Sequence, residues 1–343
     1  MDISEAINHI ISRSDLSNSQ MRSIMQCIMT GKATNAQIGG FLVSLRMKGE
    51  TVTEITAAAR VMRDLASGVD IGDLSNAVDI VGTGGDSSGT FNISTACMFV
   101  AAAAGCHVAK HGNRSVSSKS GSADALEAAG VNLNITPNQV AQCVHDIGVG
   151  FMFAPGHHSA MKHAISARRE MGVRTLFNVL GPLTNPANVD KLLLGVFDRS
   201  LIQPMAEVLR ELDVQHALVV NSKDGLDEIS IGDTTNMAEL KNGNIKTFDV
   251  NPEDFGFTTQ PLDNIRVEDP QQSIALIRDV LSGNKSTASD IVAFNSGAAI
   301  YVSGLCENLI SGIKKAKDIL QSGKGLEKLN DLVELSQSFK ERT

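Results

Sequence analysis

"AVDIVGTGGDSSGTFNISTACMFVAAAAG", residues 77–105, passes through three textures in one run. A short apolar stretch enters a glycine-rich turn, and an apolar, alanine-rich segment follows it. The first part reads as a buried strand and the last as a helix. Strand, turn and helix recur downstream. "CHVAKHGN", "VGFMFAP", "KLLLGVF" and "HALVVNS" read as strands. Between them "GSADALEAAG", "TPNQVAQCVHDIG", "SAMKHAISARREMG" and "LIQPMAEVLRELD" read as helices. This alternation predicts a largely parallel sheet covered on both faces, with ligands at the carboxyl ends of its strands.

Upstream the pattern changes. Ser17 with Gln20, Thr34 with Gln37 and Thr51 with Glu54 have capping-box spacing, which satisfies the free N–H groups of a helix start. Apolar residues follow each at helical period, as in Met21, Ile24, Met25 and Ile28. The expectation is a bundle of short helices whose stripes form a core or, alternatively, an adhesive face. Downstream, "SIALIRDVLSG" and "ENLISGIKKAKDIL" return to helix.

At 343 residues and net charge −8 the chain is long enough for one or two domains and lacks the basic footprint of a nucleic-acid binder. Five scattered cysteines without CxxC spacing read as reduced thiols and a cytoplasmic setting. The N-terminal sequence has no signal-peptide pattern, and no apolar run approaches a membrane span.

Four strand ends carry candidate chemistry. "GTGGDSSGTFNIST", residues 82–95, matches neither the dinucleotide fingerprint nor the P-loop, because Thr90 stands where lysine would follow Gly89. Its glycines still allow close backbone approach, and Asn92, Ser94 and Thr95 stand at a helix start, where free N–H groups favour phosphate. "KHGNRSVSSKSGSADALEAAG", residues 110–130, concentrates Lys110, His111, Arg114 and Lys119 with Ser115, Ser117 and Ser118 after an apolar strand. In an acidic protein this reads as an anion cradle rather than a solvated loop, with Asn113 a two-sided polar contact. In residues 156–186, a helix from Ser159 sets His158 near its start and Arg168 on much the same side. An Arg168 that binds a carboxylate or phosphate and a solvated helix face both remain open. In "NSKDGLDEIS" the adjacent Asp227 and Glu228, with Asp224 nearby, are turn solvation unless a phosphate site adjoins them. Beside one, they are candidate Mg²⁺ ligands.

"GTGGD", "FNIST", "KHGNRSVSSKSGSADALEAAG", "RTLFNVLGPLTNP", "DEIS", "NPEDFG" and "FNSGAAIYVSG" occur in that order along nearly the whole chain. In this the chain resembles the anthranilate phosphoribosyltransferase family. One departure is Ser159, where relatives commonly have proline. The resemblance implies an α/β fold. A small all-helical domain (residues 1–72, completed by about 160–188) is hinged to a larger α/β domain (73–343) with a mostly parallel central sheet. It implies a homodimer through the helical domains, with no membrane or nucleic-acid partner. It also implies Mg²⁺-dependent transfer of phosphoribose from 5-phosphoribosyl diphosphate (PRPP) to the amine of anthranilate, in tryptophan biosynthesis.

By the same resemblance the PRPP site comprises Gly82, Gly85, Asp86, Thr90, Asn92, Ile93, Ser94 and Thr95. To these it adds Lys110, His111, Gly112, Asn113, Arg114, Ser115, Val116, Ser117, Ser118 and Ser122. It assigns Ser94, Asp227 and Glu228 to Mg²⁺, and Gly82, Asn113, Arg168, His111 and His158 to anthranilate. No covalent nucleophile is expected, because an aromatic amine attacks without deprotonation. Two other readings of the architecture are a pyrimidine nucleoside phosphorylase, which would need no PRPP, and a non-catalytic nucleic-acid binder, whose basic surface is missing.

Overall fold

The computed structural model describes residues 1–86, 88–115 and 119–342. The expectations for Val116, Ser117 and Ser118 therefore lie outside the described residues. The chain opens with four helices, α1 (Ile3–Ile11), α2 (Asn18–Met29), α3 (Asn35–Lys48) and α4 (Val52–Asp64). The three expected capping boxes start α2, α3 and α4. A fourth, Asp2 with Glu5, starts α1 and follows the same D-x-x-E rule.

The α/β part then runs β1 (Ala77–Gly82), α5 (Ile93–Ala103), β2 (His107–Gly112), α6 (Ser122–Ala129), α7 (Pro137–Ile147) and β3 (Val149–Phe153). Three short helices return towards the bundle: α8 (Ala154–His157), α9 (Lys162–Met171) and α10 (Leu176–Leu180). The helix expected from Ser159 begins instead as a 3₁₀ turn, Ser159–Met161, and becomes α-helical at Lys162. α9 packs on α2 and α3, and α10 on α3 and α4. The sheet resumes with β4 (Lys191–Gly195), α11 (Ile202–Glu211), β5 (His216–Ser222), β6 (Thr235–Lys241) and β7 (Asn244–Val250). Four helices complete the chain: α12 (Pro270–Leu281), α13 (Thr287–Val302), α14 (Leu309–Ser322) and α15 (Lys324–Ser338).

The seven strands are ordered β3-β2-β1-β4-β5-β6-β7. β1 to β5 are parallel, as the alternation predicts, and β6 and β7 are antiparallel. The β6–β7 hairpin is absent from the sequence reading although "KNGN" signals it. Lys241 pairs with Asn244 across a two-residue turn in which Asn242 (φ 50°) and Gly243 (φ 78°) are both left-handed.

One apolar core lies between the sheet and α5, α12, α13 and α14. Another begins in the bundle and continues over α11 onto β4 and β5, so both faces of the sheet are covered. β1 has a divided allegiance. It pairs with β2 only at Ala77 and Val78, and from Asp79 to Gly82 it pairs with β4. β1 and β2 thus part towards their carboxyl ends, next to the β1/β4 position where strand order reverses. Sheets of this kind bind ligands at that reversal.

Candidate active site

Where β1 and β2 stop pairing, side chains replace the ladder. Lys110 Nζ donates to the Ile80 carbonyl of β1, and the His111 N–H donates to Asp79 Oδ1 at 3.3 Å. Asn185 fixes the other Asp79 oxygen at 2.6 Å and also donates to the Ala109 carbonyl at 2.8 Å. Asp79 is fully buried, which raises its pKa to about 6 against the pull of Lys110. Neither Asp79 nor Asn185 figured in the sequence reading. An acid inside "AVDIV" and the asparagine of "PLTNP" were the available signals.

Lys110 is 2% exposed and lies beneath the crevice floor. Its ammonium also donates to Ser94 Oγ at 3.2 Å, at the start of α5. Burial lowers its pKa, while Asp79, Glu228 and Asp227 pull it back up.

Above it, the glycine turn wraps around Asp227. The Gly84 N–H donates to Asp227 Oδ2 at 2.8 Å, with Gly84 and Gly85 both in left-handed backbone. A Cβ at Gly82 would stand 2.5 Å from that same oxygen, so only glycine admits the carboxylate there. Glu228 accepts from the backbone N–H of Ser94. Burial first, and then neighbouring negative charge, pushes the carboxyls of Asp227 and Glu228 well above the usual carboxylate range. For Asp227 the neighbour is Asp86; for Glu228 it is chiefly Asp227. Two carboxylates at a helix start, short of positive charge, suit a hard cation held by oxygen ligands. Among the described residues no three His, Cys, Asp or Glu side chains group as a metal site, so further ligands would be hydroxyls, water or substrate oxygens.

On the opposite face of β2, His111 and His158 stand with ring centroids 5.1 Å apart. Each takes one backbone partner, Gly181 for His111 and Thr184 for His158. Each Nε2 is buried with no hydrogen-bond partner. Burial takes His158 down to about 4 and His111 well below its usual value, so both rings are neutral at pH 7. Arg168 is half-buried on α9, its guanidinium 5.1 Å from the Phe177 ring centre, with no ion pair among the described residues. Burial lowers its pKa.

Other expected contacts are turned elsewhere. Arg114 grips Glu127 with both terminal nitrogens at 2.7 and 2.8 Å and Asp124 at 3.0 Å, so its guanidinium braces the cradle against α6. Asp124 also accepts from the Ser115 and Gly121 N–H groups, each at 3.0 Å. Asn92 ties the start of α5 to Ser120 and Ser273 at 2.8 and 2.7 Å, and Thr95 is fully buried. Ile93, the first residue of α5, is buried in the core. Thr90 shares a backbone bridge with Arg266, and Asn113 Oδ1 accepts the next N–H, from Arg114, at 2.8 Å. Ser122 Oγ donates to the Asn113 carbonyl at 3.3 Å and fills the space a side chain at Gly112 would need. Lys119 pairs with Glu268 at 3.0 Å. Arg174, unassigned from sequence, donates to the Gly85 carbonyl and lies 4.2 Å over Phe197, gripping the turn from outside.

Residues 74–326 match the a/b domain of the glycosyl transferase family and residues 4–66 its helical bundle domain. The chain is therefore a glycosyl transferase of the two-part kind, helical bundle joined to α/β domain. It is 56% identical to the anthranilate phosphoribosyltransferase of Thioalkalivibrio sulfidiphilus, over 98% of this chain and 100% of that one. The crystal structure of the Thermus thermophilus enzyme of that name superposes with a TM-score of 0.92 at 39% identity, covering 97% and 99% of the two chains. A Saccharomyces cerevisiae homologue in complex with PRPP and Mg superposes with a TM-score of 0.90 at 27% identity, covering 98% of each. The chain belongs to the anthranilate phosphoribosyltransferases.

Proposed function

We propose that the crevice at the carboxyl ends of β1, β2 and β4 is where this chain transfers the 5-phosphoribosyl group of PRPP to the anthranilate amine. The products are N-(5-phosphoribosyl)anthranilate and pyrophosphate. The observation that carries the reading is the Asp227–Glu228 pair, set against the glycine turn and the start of α5 with its carboxyls held above their usual range.

Asp227, Glu228 and Ser94 would hold Mg²⁺, which, when bound, supplies positive charge to the departing diphosphate. The turn from Gly82 to Asp86 and the α5 N-terminus offer backbone N–H groups to PRPP. His111 to Ser115 and Lys119 to Ser122 would wall the same crevice. Lys110 acts from below, balancing the buried acids and orienting Ser94.

Anthranilate lies against Gly82, Asn113, Arg168, His111 and His158. The unpaired Arg168 guanidinium takes its carboxylate in a two-pronged contact. The neutral Nε2 atoms of His111 and His158 accept hydrogen bonds from its amine, which holds the nitrogen lone pair towards C1 of the ribose. The C1–oxygen bond to diphosphate breaks as the nitrogen–C1 bond forms, and preorganised donors meet the charge on the leaving group. The surplus proton on nitrogen passes to a neutral histidine Nε2 or to the released pyrophosphate.

Closure of the helical part (1–72 with 160–188) over the crevice would keep water from the sugar cation. Val43 and Met47 are exposed one turn apart on α3, against which α1 and α9 pack with their own exposed Ile11 and Ile165, and this is the surface through which two copies would pair. Val43→Asp with Met47→Asp should shift the sedimentation of a dimer to that of a monomer. Free cysteines and the lack, among the described residues, of a helix long and apolar enough to cross a membrane fit a cytoplasmic enzyme.

The test is loss of anthranilate fluorescence with PRPP across a Mg²⁺ titration, in wild type and in Asp227→Asn with Glu228→Gln. The double variant should lose its normal Mg²⁺ activation. Phosphorolysis of thymidine or uridine in place of this turnover would move the chain to the phosphorylases.

A further inference from the structure

The motif "FNSGAAIYVSG" contains Asn295, which is fully buried in the middle of α13 and distant in sequence from every residue assigned to the site. Its side chain closes on the backbone of a single residue. The Ile229 N–H donates to Asn295 Oδ1 at 2.9 Å, and Asn295 Nδ2 donates back to the Ile229 carbonyl at 2.8 Å. The second Nδ2 hydrogen goes to the Ile291 carbonyl, one turn earlier, at 2.9 Å. Both N–H donors and one of the two oxygen lone pairs are engaged, which fixes the orientation of the amide.

Ile229 directly follows Glu228, in the loop between β5 and β6 where no neighbouring strand pairs with the backbone. Asn295 supplies the donor and acceptor that a paired strand would supply, from a rigid helix. We propose that Asn295 is a positioning residue for the metal-binding carboxylates, fixing the loop so that Asp227 meets the glycine turn and Glu228 meets the start of α5. The inference rests on the assignment of Mg²⁺ to Asp227 and Glu228.

Two variants separate this role from plain support of the fold. Asn295→Ala removes both contacts to Ile229. Asn295→Asp keeps the shape and the acceptor, loses the donors, and adds a negative charge near the acids. Charge alone would make Asn295→Asp bind Mg²⁺ more tightly, whereas lost positioning makes it bind more weakly. Ser286→Ala, which removes the N-cap of the same helix and touches nothing at Ile229, serves as the control for stability.

Two readouts are needed: amide hydrogen exchange of residues 226–232 in the metal-free protein, and the Mg²⁺ concentration for half-maximal turnover at saturating PRPP. Both Asn295 variants should speed exchange in that segment and raise the half-activating Mg²⁺ concentration by about 10-fold, the usual effect of losing an outer partner of a metal ligand. Their KM for anthranilate should stay within about 2-fold of wild type, since the amine site is made elsewhere. Ser286→Ala should leave Mg²⁺ activation unchanged. Unchanged exchange, faster exchange with normal Mg²⁺ activation, or tighter Mg²⁺ in Asn295→Asp would each overturn the inference while leaving the metal assignment standing. Normal Mg²⁺ activation in Asp227→Asn with Glu228→Gln would remove the assignment itself, and the inference with it.

Discussion

Acidification should destabilise the protein through its buried histidine pair, and replacing His158 should reveal by how much. His158 is 7% exposed, and burial, with the charge of His157 second, takes its pKa from 6.5 to about 4. A depressed folded pKa means that the unfolded chain takes the proton first. The stabilisation is complete above pH 6.5 and is lost as pH falls from there through 4. A gap of about 2.5 units is worth about 3.4 kcal/mol in full at 1.36 kcal/mol per unit. Between pH 7 and pH 5 the loss from His158 alone comes to about 1.8 kcal/mol. His111, held well below its usual value by burial and by His158, acts in the same direction.

The wild-type curve alone mixes signs. Asp79, raised to about 6, and the raised Asp227 and Glu228 take up protons in the folded state first, so they stabilise the fold as pH falls. The difference between wild type and His158→Gln cancels them. Urea unfolding at pH 7 and pH 5, at fixed protein concentration and ionic strength, should show the variant gaining about 2 kcal/mol on wild type over that interval. Any constant penalty of the glutamine drops out, because it is the same at both values. Curves that stay parallel within about 0.5 kcal/mol would show that His158 titrates normally in the folded state, and the burial-driven depression of its pKa would fall.

Arg168→Ala should raise KM for anthranilate by about 10- to 100-fold, the value of a charge-assisted contact, and leave KM for PRPP nearly unchanged. Equal shifts in both would refute the role. A Cβ at Gly195 would overlap the carbonyl oxygen of Asp227, so Gly195→Ala should displace the metal loop, cost about 1–3 kcal/mol in stability and weaken Mg²⁺ activation. Calorimetry and a Mg²⁺ titration check both. In the bundle, Glu54 is fully buried, accepts from the Leu16 and Thr51 N–H groups at 2.9 and 2.8 Å, and pairs with Lys48 at 2.9 Å. Glu54→Ala strands those two donors, while Lys48 keeps Asp15 at 2.7 Å, and should cost about 2–4 kcal/mol in thermal unfolding.

The sheet was legible because each parallel strand carries an apolar run and ends in glycine or serine, or for β3 just before Pro155, which the 77–105 stretch shows in miniature. The site was legible as segments but not as directions. Lys110 and His111 were placed together in one cradle. Successive strand residues point to opposite faces, and the structure follows that rule. Lys110 reaches Ser94 on the α5 face, and His111 reaches Gly181 and His158 on the other. Arg114 looked like a ligand contact because sequence does not show that Glu127, on α6, lies within reach of it. Asp79, Asn185 and Asn295 went unassigned because their work is to hold backbone across long sequence separations, and no local pattern records that.

That distribution of charge has a consequence for how the two anionic substrates bind. The stretch from Lys110 to Lys119 holds three basic side chains that sequence offers to phosphate, and each already has partners. Lys110 faces Asp79, Glu228 and Asp227; Arg114 holds Glu127 and Asp124; Lys119 holds Glu268. On the proposed function, diphosphate recognition would then fall on backbone N–H groups, on the start of α5 and on Mg²⁺ at Asp227 and Glu228. Short-range contacts of this kind are screened far less than exposed charges, whose influence fades within about 8 Å at physiological salt. Raising NaCl from about 50 to 300 mM should therefore change KM for PRPP by less than about 3-fold, while lowering free Mg²⁺ tenfold changes it more. A steep salt dependence at fixed free Mg²⁺ would mean that unpartnered lysine or arginine charge draws PRPP in, and the ion pairs of the cradle would have to open when substrate arrives.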